Sequence, residues 1–399
     1  VSNIIRAYKF RLYPTPAQEL ALGQFLDTHR ILYNEARDQR IWAWAMERKS
    51  VTYCQQSAWF KGFRPERQCF ASLNFSSAQA TLRRLDKAFK SFFRRIRAGQ
   101  KAGFPRFKHE DRWHSVLFPA NGNGIRLKGN RLRVQGFDRQ LRVRKHREAE
   151  GRVKTISVKR EAGRWFVVLA CDLGSRDFVP NGKPSVGIDM GLTHFLTDSD
   201  GDRVENPRFL KETLPELRRA NRSLARKEKG SKRRVKAKSK LRRVHAKVSN
   251  QRRDFVHKAS RDLVSKFGLV GAEDLRIGNM VRNRRLARSI SDAGWGMFLE
   301  AARYKAEEAG CVFVSVDPRG TSQDCSGCGR KVPKGLSVRW HECPHCGLSL
   351  DRDHNAARNI LFRALARTGP TNGETNLGLL HGDSSRPLLP RGRSGSPRL

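Results

Sequence analysis

The chain has 399 residues, and its 81 lysines and arginines outnumber 38 acidic residues to give a net charge of +43. A surplus of this size repels itself in a compact fold, so we expect a polyanionic partner and exclude an ordinary metabolic enzyme. No apolar run approaches the ~18 residues of a membrane-spanning helix, so no membrane contact is expected. The 22 phenylalanines and 7 tryptophans exclude a wholly disordered chain.

The N-terminal part of the chain predicts one strand followed by helices. Residues 4–13 alternate as a strand does and end at Pro14. Thr15 is the predicted N-cap of the next helix, and Gln18 completes a capping box. A second amphipathic helix is predicted over about 76–98, with an apolar stripe of Leu82, Leu85, Phe89, Phe92, Phe93 and Ile96. Residues 15–103 therefore predict a helical domain inserted after a first strand.

From residue 104 onward the pattern changes to short strands separated by turn signals. Strands are predicted near 125–127, 132–134, 155–158 and 165–169. The pattern indicates an all-β module, a partly open barrel that needs the first strand as a partner. Residues 1–14 and 104–181 are therefore expected to form one β domain, ahead of an α/β domain that opens near residue 186.

A strongly basic run lies between residues 218 and 253, with 17 lysines and arginines and one acid. Leu241, Val244 and Val248 recur in it at helical spacing, so one face is expected to pack. The run predicts an amphipathic helix, or a helical hairpin broken near 230–231. Its basic face is expected to contact a nucleic-acid backbone through Arg242, Arg243 and Lys247. A solvated, unpartnered segment is the alternative.

The C-terminal half continues the α/β pattern. Apolar runs predict strands over 269–273 and 312–316, a helix is predicted over 291–310, and a last helix is expected to begin near Asp353. The composition of 368–399, rich in Gly, Pro, Ser and Arg, predicts a disordered tail.

Four of the eight cysteines form two tight pairs. Cys325 and Cys328 make one CxxC knuckle, Cys343 and Cys346 make another, and 14 residues separate the two pairs. Each pair is followed by a glycine that permits a tight turn. Two such knuckles supply four thiolates to one tetrahedral zinc ion, and four protein ligands leave no open position for catalysis. We therefore predict one structural zinc; free or redox-active thiols are the alternative.

Three carboxylates lie on apolar elements of the α/β domain. Asp189 is in the middle of an apolar strand, Glu273 closes a second one, and Asp353 opens a helix. A buried carboxylate is costly without a compensating cation. An RNase H-type fold builds a divalent-metal site from acids placed in this way, and carboxylate oxygens suit Mg²⁺ or Mn²⁺. We interpret Asp198, Asp200 and Asp202 as surface turn residues and Asp351 as a neighbour outside the set.

Taken in order, these motifs resemble the TnpB family, which are transposon-encoded RNA-guided nucleases related to type V CRISPR effectors. The matching features cover about residues 1–365: Phe10-Arg-Leu-Tyr-Pro14, Gly103-Phe-Pro-Arg-Phe107, Gly187-Ile-Asp-Met-Gly191, Glu273, Ser291-Asp-Ala-Gly-Trp-Gly296, the two knuckles and Asp351-Arg-Asp-His-Asn-Ala-Ala357.

The resemblance implies a multidomain α+β fold. It comprises a wedge β-barrel (1–14 and 104–181), an inserted helical recognition domain (15–103), a RuvC-like nuclease domain of RNase H fold (182–319 and 348–367) and a zinc-ribbon-like module (320–347). It also implies that Asp189, Glu273 and Asp353 are the catalytic triad holding two magnesium or manganese ions, which activate water for phosphodiester cleavage.

The same resemblance implies the partners. A guide RNA transcribed from the transposon end would pair with double-stranded target DNA next to a short motif, and the chain would support maintenance of its transposon. Tyr53, Ser57 and Gln79 fall where the family contacts that motif. A monomer in the cytoplasm of a bacterium or archaeon, associated with the nucleoid, is expected.

Three other functions would each account for part of this pattern. A nuclease-inactive, RNA-guided repressor of the same scaffold would be expected to lack one of the three acids. A transposase that cuts and joins DNA itself would need a surface to bring two ends together, and the sequence indicates none. A plain zinc-dependent DNA-binding protein would leave the three acids unexplained.

Overall fold

The computed structural model describes residues 2–335 and 337–368. Of the predicted tail at 368–399, all but Thr368 lies outside the described residues. The chain divides into two compact units, Val1–Asp177 with Lys227–Ala246, and Phe178–Arg226 with Lys247–Leu399. No helix within the described ranges is long and apolar enough to cross a membrane.

The first unit contains an antiparallel sheet of seven strands in the order β2-β6-β7-β1-β5-β4-β3. The predicted first strand is confirmed. It is β1, the central strand of this sheet, and it pairs with β7 on one side and β5 on the other. The hydrogen-bonded pairing runs from edge β2 to edge β3 and does not close within the described residues. The strands are β1 (Ser2–Tyr13), β2 (Ser115–Phe118), β3 (Ile125–Lys128), β4 (Arg131–Val134), β5 (Leu141–Arg144), β6 (Arg152–Glu161) and β7 (Arg164–Arg176).

Four helices of the first unit share one hydrophobic core with this sheet; they are α1 (Pro16–Glu47), α2 (Tyr53–Phe63), α3 (Gln68–Ala71) and α4 (Phe75–Arg97). The capping box of Thr15 and Gln18 at the start of α1 is confirmed. The apolar stripe predicted on α4 was too long. Phe93 and Ile96 are 47% and 51% exposed, because the last turns of α4 extend past the core.

The second unit contains a mixed sheet of five strands in the order β10-β9-β8-β11-β12. The strands β8, β11 and β12 are parallel, while β9 and β10 continue the sheet in antiparallel pairing. The strands predicted over 269–273 and 312–316 are confirmed. The five strands of the sheet are β8 (Ser185–Met190), β9 (His194–Asp198), β10 (Arg203–Glu205), β11 (Leu269–Glu273) and β12 (Val312–Val316).

The remaining helices are α5 (Phe209–Ala225), α6 (Lys232–Lys266), α7 (Ile277–Met280), α8 (Ala287–Ala293), α9 (Trp295–Ala309) and α10 (Arg352–Thr368). The basic run thus forms two helices separated at 226–231, so the predicted break near 230–231 is confirmed. The helix predicted over 291–310 is confirmed as α9 over Trp295–Ala309, but its first residues belong to a separate helix, α8. Gly294 has a φ of +76°, a left-handed conformation that ends α8 before α9 begins.

Helix α10 packs closely across the middle of the five-stranded sheet. A Cβ atom on Gly187 of β8 would overlap the carbonyl oxygen of Ala357, and one on Gly271 of β11 would lie 2.7 Å from the Cβ of Ala364. Both strands therefore require glycine where α10 crosses them. This close approach brings the N-terminus of α10 to the end of β8.

Candidate active site and metal centres

Two of the predicted catalytic acids lie on neighbouring parallel strands. In β8 and β11, Ile188 is paired with Ala272, so Asp189 and Glu273 follow at the next position of each strand. Parallel strands are about 4.8 Å apart, and side chains at matching positions project from the same face of the sheet. Both acids are partly buried. The β8–β11 pairing therefore brings Asp189 and Glu273 together at the carboxyl ends of these two strands.

The third acid, Asp353, is in the first turn of α10 and is buried. A Cβ atom added to Gly191, two residues after Asp189, would lie 3.8 Å from a carboxylate oxygen of Asp353. Two guanidinium groups, from Arg339 and Arg352, each lie 3.6 Å from the Asp353 carboxylate. The third acid is thus placed beside the turn that follows β8.

The electrostatics of Asp189 reflect this arrangement. Removal from water raises the pKa of the Asp189 carboxyl well above its ordinary value, and the negative charges of Glu273 and Asp353 raise it further. Burial also raises the pKa of Glu273, against a hydrogen bond from Thr321 that lowers it. A buried Asp189 whose charge two neighbouring carboxylates disfavour fits a site whose charge a divalent cation neutralises.

The three acids are more widely spaced than the zinc ligands. Among the described residues, only the four predicted cysteines have potential ligand atoms that all lie within 4.8 Å of one another. Sites for two cations need not hold every carboxylate so close, because the ions are separated by about 3.5–4 Å. The donor set of Asp189, Glu273 and Asp353 therefore fits Mg²⁺ or Mn²⁺ by its chemistry and its charge.

The four cysteines fit a zinc site by their geometry as well. The Sγ atoms of Cys325 and Cys346 are 3.6 Å apart, and those of Cys328 and Cys343 are 3.7 Å apart. A tetrahedron with Zn–S bonds of 2.3 Å places its sulfur atoms about 3.8 Å apart. Burial acts to raise the pKa of the Cys343 thiol, but backbone N–H groups of His345 and Cys346 stabilise the thiolate and lower it to about 7.

Both predicted knuckle turns are present. Gly329 and Gly347 have φ values of +72° and +75°, and their N–H groups donate to the carbonyls of Cys325 and Cys343. The second knuckle lies in a hairpin of β13 (Trp340–Glu342) and β14 (Ser349–Asp351). This hairpin leads directly into α10 and Asp353.

Two neighbouring acids have structural roles. Asp351 accepts hydrogen bonds from the N–H groups of Asp353 and His354 at the start of α10, and it forms an ion pair with Arg203. Asp198, interpreted from sequence as a surface residue, is instead buried. Its carboxylate is turned inward to accept the backbone N–H groups of Asp200 and Asp202.

The predicted basic face is present on α6. Val244 and Val248 are buried, whereas Arg242, Arg243 and Lys247 are exposed. Within the first unit, Arg242 and Lys238 form ion pairs with Asp111. Only part of the basic face is therefore free of a local acidic partner.

The three residues implied as motif contacts lie on α2 and α4 of the first unit. The side-chain amide of Gln79 donates to the hydroxyl of Ser57 over 3.0 Å. The guanidinium of Arg83 lies 5.1 Å from the ring centre of Tyr53, whose hydroxyl is buried without a hydrogen-bond partner in the described structure. The facing sides of α2 and α4 thus bring Tyr53, Ser57 and Gln79 into one region.

Sequence reasoning missed two polar connections in the second unit. Buried Asp292 accepts the N–H groups of Leu210 and Lys211 at the start of α5 and forms an ion pair with Arg252 of α6. Thr321 donates a hydrogen bond to Glu273. Asp292 belongs to the motif Ser291–Gly296, and Thr321 lies just before the first knuckle. The residues that each of them contacts are distant in sequence, so no sequence pattern indicated these connections.

Three family profiles match parts of the chain. A profile described as "Probable transposase" matches residues 169–284, and one described as "Cas12f1-like, TNB domain" matches 295–360. A third, described as "Helix-turn-helix domain", matches 3–49. In this structure residues 3–49 form strand β1 and one continuous helix α1, so that description does not fit their conformation.

Relatives match nearly the whole chain. A proposed RNA-guided DNA endonuclease of Streptomyces pristinaespiralis is 35% identical, over 94% of this chain and 92% of the relative. InsQ of Escherichia coli, a proposed RNA-guided DNA endonuclease, is 30% identical, over 90% and 92%. The structure of the mini-RNA-guided endonuclease CRISPR-Cas_phi3 is 9% identical, with a TM-score of 0.44 and coverage of 93% and 94%, a likeness too distant to support a functional conclusion.

Proposed function

The chain belongs to the TnpB family, and from this premise we propose that it is an RNA-guided endonuclease that cleaves double-stranded DNA. The observation that carries the proposal is the meeting of Asp189, Glu273 and Asp353. These acids come from two strands and a helix that are at least 80 residues apart in sequence, yet the charges of Glu273 and Asp353 act on Asp189. A chain that only binds nucleic acid has no use for this costly arrangement.

We infer that the second unit is a RuvC-like nuclease of RNase H type. In support, its sheet is mixed, with β8, β11 and β12 parallel, and the three acids lie at one edge of it. The wedge β-barrel and helical recognition domain, with the boundaries predicted from sequence, are likewise proposals. The seven-stranded sheet and the helices α1–α4 of the first unit support them.

The three acids act as ligands and as an orienting frame. When bound, two Mg²⁺ or Mn²⁺ ions supply Lewis-acid activation of water and stabilise the leaving 3′ oxygen. Strand pairing fixes the backbone at Asp189 and Glu273, and the capped first turn of α10 fixes the backbone at Asp353. Rigid elements thus place the residues that carry the carboxylates before a DNA strand arrives, which lowers the cost of orienting the scissile phosphate.

The four-cysteine module is proposed to hold one structural zinc ion. All four donors are thiols that lie within 4.8 Å of one another, and two pairs of them have the spacing of a tetrahedral zinc site. This set leaves no open coordination position. Zinc is therefore expected to stabilise the polypeptide that precedes α10 and to take no part in the cleavage reaction.

The proposed partners are a guide RNA from the transposon end and target DNA. The net charge of +43 supports polyanionic partners, and the exposed cations of α6 offer backbone contacts. We propose that Tyr53, Ser57 and Gln79 read the motif beside the target, and that the chain acts as a monomer at the nucleoid in the bacterial or archaeal cytoplasm. Guided cutting would maintain the transposon that encodes the chain.

Sequencing of RNA that co-purifies with the protein tests the guide. A single abundant species that ends in transposon-flanking sequence is expected, and the complex should cut a plasmid that carries the matching target. Random cellular RNA with no guided cutting would contradict the proposal.

A transposase that cuts and joins DNA is the second candidate, since the profile over 169–284 is described in that way. It predicts covalent joining of transposon ends to a target in the presence of Mg²⁺. The endonuclease proposal predicts cleaved ends with no joined product, so a single gel assay on labelled transposon ends separates the two.

A further inference from the structure

Helix α10 has a second packed face that sequence reasoning did not identify. Its buried apolar residues, among them Ala357, Ile360 and Ala364, pack against the sheet. Asn355, Asn359 and Arg363 follow one another at intervals of four residues. Residues at this spacing lie along one side of a helix. All three side chains donate hydrogen bonds to the segment 317–326, which joins β12 to the first cysteine knuckle.

These bonds hold the backbone of that segment. The amide of Asn359 donates to the carbonyls of Thr321 and Asp324, over 2.8 and 2.7 Å. Fully buried Asn355 donates to the carbonyl of Asp324 and accepts the N–H of Ser326, over 2.8 and 2.9 Å. Because both hydrogen-bonding ends of Asn355 are used, the segment is fixed in position and in orientation.

The held segment carries Thr321 to Glu273. The hydroxyl of Thr321 lies 2.6 Å from a carboxylate oxygen of Glu273, and 3.0 Å from the carbonyl oxygen of Pro318. A hydroxyl has one hydrogen to donate, and a charged carboxylate is the stronger acceptor. Thr321 is only 3% exposed, so water does not compete for this bond.

We propose that Thr321 is a positioning residue for Glu273, held in place by Asn359, and that it links the first cysteine knuckle to the divalent-metal site. A glutamate side chain has three rotatable bonds, and β11 fixes only where it begins. The Thr321 hydroxyl occupies one carboxylate oxygen and leaves the other to bind a cation. The knuckle begins at Cys325, four residues after Thr321, so zinc binding steadies the same segment. The inference rests on the proposed nuclease function.

The test compares Thr321→Val, which keeps the shape and removes the hydroxyl, with Thr321→Ser, which keeps the hydroxyl. Thr213→Val is the matched control, because Thr213 is a buried threonine whose hydroxyl donates to Phe209 in its own helix. Four quantities are measured: bound zinc, the rise in melting temperature on adding MgCl₂, the Mg²⁺ concentration for half-maximal guided cleavage, and target affinity.

Loss of an outer partner of a metal ligand typically lowers metal affinity or activity about 10- to 100-fold. Thr321→Val is therefore expected to raise the half-maximal Mg²⁺ concentration and reduce the Mg²⁺-dependent rise in melting temperature, with zinc content and target affinity unchanged. Thr321→Ser should restore both Mg²⁺ responses, and Thr213→Val should leave them at the wild-type level.

Equal Mg²⁺ responses in wild type and Thr321→Val would overturn the inference, as would a loss in Thr321→Val that Thr321→Ser does not restore. A wild type that is stabilised by Mg²⁺ but never cuts would overturn the proposed function alone. In that case the Mg²⁺-dependent melting temperatures of the Val and Ser variants still decide the role of Thr321.

Discussion

The carboxylate of Asp351 accepts a hydrogen bond from the backbone N–H of Asp353, over 2.8 Å. Two acids separated by one residue thus have different roles. Asp351 caps α10 and pairs with Arg203, whereas Asp353 lies beside the turn that follows β8. The cap orients the first turn of the helix, and that turn carries the proposed metal ligand.

Substitution of these two acids should separate stability from catalysis. Asp351→Ala removes the cap and should lower the free energy of unfolding by about 1 kcal/mol while substantial cleavage remains. Asp351→Asn, which still caps, should be nearly as stable as wild type. Asp353→Asn should abolish cleavage without a comparable loss of stability. Urea denaturation and plasmid cleavage check this, and cleavage by Asp353→Asn would contradict the assigned roles.

The zinc module should bind about one zinc ion per chain, as the four-thiol set requires. Cys343→Ser should lower the bound zinc and make the segment before α10 more sensitive to proteolysis, because the metal replaces a core in a module this small. Mass spectrometry of the native protein and elemental analysis measure the content. Full zinc retention in a double Cys343 and Cys346 serine variant would disprove the ligand set.

Buried His29 should make the first unit sensitive to acid. Burial lowers the pKa of His29 from 6.5 to about 3, and its ring nitrogens lie 2.9 and 3.3 Å from the hydroxyls of Thr81 and Ser77. The unfolded chain takes up a proton near pH 6.5 and the folded chain does not. The stability that His29 contributes is thus complete above that pH and falls as pH drops towards 3, by up to ~1.4 kcal/mol per pH unit.

Replacement by glutamine should remove this slope. Urea denaturation from about pH 7 to about pH 5 should show a smaller loss of unfolding free energy for His29→Gln than for wild type, because the glutamine side chain at position 29 does not titrate. Exposed His109 provides the control, and His109→Gln should keep the wild-type slope. Identical slopes in wild type and His29→Gln would show that the imidazole is not held neutral.

The basic face of α6 should provide affinity without sequence choice. Reversal of Arg242, Arg243 and Lys247 to glutamate should weaken binding to RNA of any sequence, and each lost phosphate contact should flatten the slope against log salt by roughly 0.7–0.9. Fluorescence anisotropy at several salt concentrations measures both. Asp111→Asn is the control and should not weaken binding, because it removes the acid that pairs with Arg242. Unchanged affinity and slope would identify the face as solvated surface.

Local features of the fold were predictable because they depend on local chemistry. Strands β11 and β12 are short apolar runs with breaks at both ends, and the capping box of Thr15 and Gln18 lies within four residues. The helix predicted over 291–310 is confirmed over Trp295–Ala309. The break at Gly294 was missed, because an isolated glycine in a helical pattern does not by itself indicate a left-handed conformation.

The chemical types of the site were also predictable, but its connections were not. An acid in an apolar strand is unusual enough to single out Asp189, and the spacing of the knuckles singles out four cysteines. The bond from Thr321 to Glu273 joins residues 48 positions apart, and a buried threonine is common. The ion pair of Arg242 with Asp111 was equally unpredictable, because a basic run does not show which of its cations has an acidic neighbour in the fold.

Guided cleavage of plasmid DNA by wild type and by single alanine variants of Asp189, Glu273 and Asp353 tests the central claim most directly. Wild type charged with its guide RNA should cut only in Mg²⁺ or Mn²⁺. Each variant should lose cutting and keep target binding, because base pairing and backbone contacts supply affinity elsewhere. Asp200→Ala should cut as wild type does. If Glu273→Ala cuts at the wild-type rate, or if wild type binds its guided target and never cuts, the nuclease site proposed here is wrong.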